Sequence, residues 1–158
     1  ISDIMKEPAP EFMHVIHGDF CFSNILYDFK SQSIKVIDPR GVNMAGEYSI
    51  YGDIRYDVSK LSHSVIGMYD FIIGGNYNFT FKSKYEFELF FPNDKEIIEV
   101  QAYFKEMIFS GYGLKELKVY PILIHLFLSM LPLHNDYPER QNAMLANALR
   151  LYLEFKKE

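Results

Sequence analysis

The chain has 158 residues, a formal net charge of −5 and a single cysteine. That length suffices for one domain with its own core, the lone thiol excludes an internal disulfide, and the acidic balance disfavours nonspecific binding to nucleic acid or to an anionic membrane. The 12 Tyr and 14 Phe, with no Trp, supply the apolar bulk of the core, and one unpaired thiol fits a reducing, cytoplasmic setting.

Residues 1–12 are acidic and contain Pro8 and Pro10, the composition of a linker or hinge; residues 13–158 form the domain proper. His14-Val15-Ile16 is a short apolar run ending at Gly18. Ile25-Leu26-Tyr27 and Ile34 to Ile37 flank a polar turn and predict a small strand pair with Asn24 and Asp38 at its ends. A glycine-rich loop spans 41–52. Val58, Leu61, Val65, Met68 and Ile72 recur at helical spacing, predicting one helix from about Asp53 to Ile73, capped by Asp53 and ended by Gly74-Gly75.

Alternating residues at 76–81 and 85–91 predict a β-hairpin. A helix from Asn93 or Asp94 to about Ser110 is expected to face inward through Ile97, Val100, Phe104 and Met107. The stretch from Leu114 to Leu131 is apolar nearly all round; it is too short and too interrupted to span a bilayer and so predicts the central core helix, with Pro121 as a kink or fresh start and His125 in the core. Tyr137-Pro138 opens the last helix, expected to turn Leu145, Leu149 and Tyr152 inward. The fold class is therefore α+β, mostly α.

Chemistry concentrates between residues 17 and 57. In His17-Gly18-Asp19-Phe20-Cys21-Phe22-Ser23-Asn24 an aspartate is followed at the fifth position by asparagine, and Asp38 ends the next apolar strand. Phosphoryl transfer uses such a set: one carboxylate receives the proton of the attacking hydroxyl, while an amide and a second carboxylate hold Mg²⁺ on the nucleotide phosphates. The Asp19-to-Asn24 spacing is that of the protein-kinase catalytic loop, with Gly18 in place of arginine, and Asp38 falls where the metal-binding D-F-G aspartate would.

Together with Ile37-Asp38-Pro39-Arg40 and Gly52-Asp53-Ile54-Arg55-Tyr56-Asp57, this loop resembles the aminoglycoside phosphotransferase and choline kinase family, small-molecule kinases with a protein-kinase-like fold. The resemblance covers residues 17–57 and implies the C-terminal lobe of that fold, with small β-hairpins at the catalytic loop. It implies ATP and Mg²⁺ as cofactors, Asp19 as catalytic base, Asn24 and Asp38 as nucleotide-metal ligands, and Asp57 as a brace for the loop backbone. The acceptor would be a hydroxyl on a small molecule such as an aminoglycoside, choline, ethanolamine or a sugar.

His17 reads as a structural residue holding the loop through a backbone hydrogen bond. Arg40 could touch phosphate or substrate, or pair with Asp53 or Glu47. His134, Asn135, Asp136 and Arg140 form a polar cluster that is either an acceptor contact or a helix cap. Cys21 reads as a small buried hydrophobe. The glycines never fall as G-x-G-x-x-G, and Lys35, the lysine in an apolar strand, lies after the catalytic loop rather than before it. The expectation is therefore a lobe whose nucleotide-binding partner lobe is missing, inactive alone and open to self-association through the face that lobe would cover. The alternative is a non-catalytic ligand- or partner-binding module.

Overall fold

A computed structural model describes residues 9–43, 46–84 and 86–157, and its chain order explains how the motif positions meet. Strand β1 (Met13–Val15) is preceded by a single 3₁₀ turn at Pro10–Phe12, where the Phe12 ring packs against Tyr112 and under the Arg55 guanidinium. Residues 9–12 thus dock on the domain, while the rest of the expected linker, 1–8, lies outside the described residues.

Strands β2 (Ile25–Asp28) and β3 (Ser33–Val36) pair antiparallel with Ile25 opposite Val36. Their turn is set by Asp28, whose carboxylate accepts the N–H groups of Lys30 and Ser31, an Asx turn. Strand β4 (Tyr51–Asp53) returns to pair with β1.

Helix α1 (Ile54–Val65) begins at Asp53, whose side chain caps the Arg55 N–H and grips the Arg55 guanidinium. It stops at Val65 rather than running on to Ile73, because Gly67 and Met68 reshape the chain. Met68 adopts φ 55°, and a Cβ on Gly67 would lie 2.6 Å from the Phe127 ring. The carbonyls freed at the helix end are taken in succession: Gln101 donates to Val65, Arg150 to Ile66 and Asn147 to Gly67. A short helix α2 (Tyr69–Ile73) follows and ends at Gly74-Gly75.

Strands β5 (Asn78–Ser83) and β6 (Glu86–Phe90) form the second hairpin. Helix α3 (Lys95–Lys105) is shorter than the sequence suggests. Val100 is 54% exposed, and Gln101 turns inward in its place to reach Val65. Helix α4 (Val119–Met130) is a fresh start: Lys118 takes φ 52°, and Pro121 falls in the first turn, where no intrahelical N–H is lost. His125 sits on the exposed face of α4, not in the core.

Helix α5 (Pro138–Phe155) buries Met144, Asn147, Ala148 and Leu151, while Leu145, Leu149 and Tyr152 face outward. The two stripes are one residue apart in register. Small Ala143, Ala146 and Ala148 let the chosen face approach α4 closely, and Asn147 and Arg150 must reach α1. The core lies between α1, α4 and α5, around Leu117, Leu123, Phe127 and Met144. No helix among the described residues is long and apolar enough to cross a membrane.

Candidate active site

The loop from His17 to Asn24 runs between β1 and β2 over the flank of α1, which holds it from below. Asp57 accepts the His17 N–H on one carboxylate oxygen at 2.6 Å and the Gly18 N–H on the other at 2.8 Å. Two turns further along the helix the Ser64 hydroxyl accepts the Phe22 N–H at 3.1 Å. From the other side the His17 ring meets the Ile37 carbonyl at 2.9 Å, and the Arg40 N–H donates to the His17 carbonyl at 2.8 Å. At Gly18 the turn leaves no room for a side chain. Its φ is 78°, and a Cβ there would lie 2.7 Å from the Arg40 Cβ.

Asp19 is presented at the top of this loop with both carboxylate oxygens engaged. Asn24, itself buried, donates through Nδ2 to the Asp19 carbonyl at 2.8 Å and to Asp19 Oδ2 at 3.0 Å. Lys60 of α1 places its ammonium 2.7 Å from Oδ1. Burial alone would raise the Asp19 carboxyl pKa. The hydrogen bond and charge of Lys60, then the Asn24 amide and the charge of Arg40, outweigh it and hold the group below its ordinary value.

Because both partners of the Asn24 Nδ2 are acceptors, the amide orientation is fixed, and Oδ1 has no donor among the described residues. The Asn24 carbonyl accepts the Ile37 N–H at 3.0 Å, extending the β2–β3 ladder by one step and bringing Asp38 to the same end of the hairpin. Asp38 is exposed, takes no hydrogen bond from the described residues, and adopts φ 57°. Asp is among the few non-glycine residues that adopt this left-handed conformation readily.

Arg40 pairs with neither of the carboxylates expected from the sequence: Asp53 is taken by Arg55, and Glu47 by Asn43. Its guanidinium lies over the Tyr56 ring, 5.2 Å from the centroid, beside the loop and within electrostatic reach of Asp19. Cys21 is buried, its thiol against the Ser23 hydroxyl.

His134 and Arg140 stand apart from this cluster. Arg140 stacks on Tyr137 and donates to the Ile73 carbonyl at 3.1 Å, at the edge of an open depression of about 470 Å³ that also presents Tyr77, Asp136 and Glu139. Burial and the Arg140 charge lower the His134 pKa. Among the described residues no hydrogen bond or ion pair joins them to the Asp19 loop.

Lys60 and Ser64 are the site residues that the motifs do not disclose. Their signal is positional: with Asp57 they recur on one side of α1, a polar stripe beside the apolar one. Comparison with protein-family models, curated proteins and solved structures returns no match.

Proposed function

We propose that the chain is the catalytic and acceptor-binding lobe of a kinase of the aminoglycoside phosphotransferase and choline kinase type, transferring the terminal phosphoryl group of ATP to a small molecule's hydroxyl. The observation that carries this reading is the double hold on one loop. Asp57 fixes its backbone at His17 and Gly18, and Asn24 fixes the Asp19 side chain. An ordinary turn aspartate needs neither.

The donor set suits Mg²⁺. Asn24 Oδ1 and the Asp38 carboxylate are hard oxygen donors, and among the described residues no group of three or more His, Cys, Asp or Glu side chains converges. Asn24 and Asp38 would hold the ion together with nucleotide phosphate and water. When bound, Mg²⁺-ATP supplies the phosphoryl group and neutralises the charge that its transfer develops. Asp19 orients the acceptor hydroxyl and receives its proton, His17 and Asp57 hold the loop, and Arg40 offers a cation beside it.

The nucleotide lobe belongs, on this proposal, to sequence outside the 158 residues, since no glycine-rich phosphate loop or upstream strand lysine is found within them. Leu26, Tyr27, Ile34, Val36 and Ile37 are exposed on the β2–β3 hairpin, which supports a covering lobe there and self-association when it is uncovered. A cytoplasmic location belongs to the same reading.

The test is phosphoryl transfer from Mg²⁺-ATP, followed by ³¹P NMR, by the protein with its nucleotide lobe, against a panel of amino alcohols, aminoglycosides and sugars. Transfer to one class is expected. Ligand binding across the panel without any transfer would replace the kinase by a binding module.

A further inference from the structure

Lys60 belongs to none of the sequence motifs, yet its ammonium lies 2.7 Å from Asp19 Oδ1, and its side chain is only 14% exposed. A lysine this far out of water gives up hydration that a well-placed anion must replace, so the geometry of the pair matters. Here both partners are fixed. Lys60 follows Asp57 by three residues and precedes Ser64 by four, so all three lie on one side of α1. Asp57 and Ser64 already hold the loop at His17, Gly18 and Phe22.

The surroundings of Lys60 direct it to that one carboxylate. Its ion pair among the described residues is with Asp19. The His63 ring beside it is fully buried between Tyr69 and Phe127, with neither nitrogen partnered. Asp19 is therefore gripped from two sides, by Lys60 on Oδ1 and by Asn24 on Oδ2.

We propose that Lys60 is a positioning residue for phosphoryl transfer, locking the Asp19 carboxylate in the orientation that aims the acceptor hydroxyl; this rests on the reading of Asp19 as the group that receives the acceptor's proton. In that step the acceptor O–H bond breaks and its oxygen bonds to phosphorus. The bond from phosphorus to the leaving nucleoside diphosphate breaks with its electron pair, and the proton passes to Asp19. Each carboxylate oxygen keeps a second lone pair, so Lys60 and Asn24 leave room for the hydroxyl. Because the transition state is loose, aiming the nucleophile contributes more than stripping its proton early, and a carboxylate free to rotate loses that aim.

Two measurements test the proposal. In the protein with its nucleotide lobe, Lys60→Met should lower kcat by on the order of 100-fold with the KM for ATP nearly unchanged. Lys60→Arg should restore most of the loss, and added methylammonium should partly rescue the methionine variant where sodium does not. In the 158-residue chain, hydrogen exchange of the Asn24 side-chain amide, which donates to Asp19, should speed at least about tenfold in Lys60→Met as the carboxylate is released. Lys60→Gln gives the same readouts if the methionine variant does not fold. Unchanged Asn24 exchange in either folded variant would overturn the inference whatever the enzyme does. Faster exchange in a protein that phosphorylates no alcohol would instead overturn the kinase reading, and with it the catalytic purpose of the pair.

Discussion

The carboxylate of Asp57 spans the peptide between His17 and Gly18, taking the N–H of the first at 2.6 Å and of the second at 2.8 Å. Through this contact α1, which is anchored in the core, sets the height and tilt of the loop that carries Asp19. Both carboxylate oxygens of Asp57 are spent on backbone N–H groups. On the proposed reading its effect on chemistry is therefore indirect, through the backbone it holds.

Replacing Asp57 by Ala strands two partly buried N–H groups, and the domain should lose about 1–3 kcal/mol of stability in urea unfolding. Asp57→Asn, which keeps one acceptor, should lose less. Equal stability of all three proteins would mean that the loop is held by its other contacts alone.

Asn24 and Asp38 should separate stability from metal binding. Asp38 is exposed, takes no hydrogen bond from the described residues and sits at φ 57°, a conformation that Asn also tolerates. Asp38→Asn should therefore leave the unfolding midpoint unchanged while weakening Mg²⁺-ATP binding, measured by calorimetry in the protein with its nucleotide lobe, by at least about tenfold, because a charge is replaced by a dipole. Asn24→Ala removes the two hydrogen bonds that its amide donates to Asp19, so it should cost about 1–3 kcal/mol of stability and weaken binding less. The opposite ranking would reassign the two residues.

His63 should govern the acid side of the stability curve. Burial, then the neighbouring Lys60 charge, lowers its pKa from 6.5 to about 3, with Asp19 opposing. Between those values the unfolded chain binds a proton that the folded chain refuses, so stability falls as pH drops below about 6.5 and this loss ends near 3. The slope in that window is on the order of 1 kcal/mol per pH unit. His63→Leu should flatten urea midpoints measured from pH 7 to pH 4. Asp19 acts at lower pH: its depressed pKa gives stability that is full above the ordinary carboxyl value of 3.8 and is lost as pH falls below it.

The fold was legible where one period dominated. The hairpin at β5–β6, the strand pair between Asn24 and Asp38, the Asp53 cap and Pro138 as the start of α5 all follow from local turn and cap chemistry. Legibility failed where a helix is buried on more than one face. On α5 two stripes one residue apart read equally well, and the capping of α1 by Asn147 and Arg150, contacts more than 75 residues apart in sequence, selects the one with less apolar bulk. The break at Gly67 is set by the Phe127 ring of a distant helix.

The same limit applies to the site. Asp19, Asn24 and Asp38 stand out by spacing along the chain, but Lys60 reads as a solvated helix charge until α1 is packed beneath the loop.

The most direct measurement is a comparison of wild type and Asp19→Asn in the protein with its nucleotide lobe, with turnover of the preferred alcohol and calorimetric ATP affinity measured on the same samples. On the proposed kinase reading turnover falls by at least about 100-fold while ATP affinity stays within about twofold, because Asp19 would meet the acceptor rather than the nucleotide. Turnover equal to wild type, or ATP affinity lost along with activity, would contradict it.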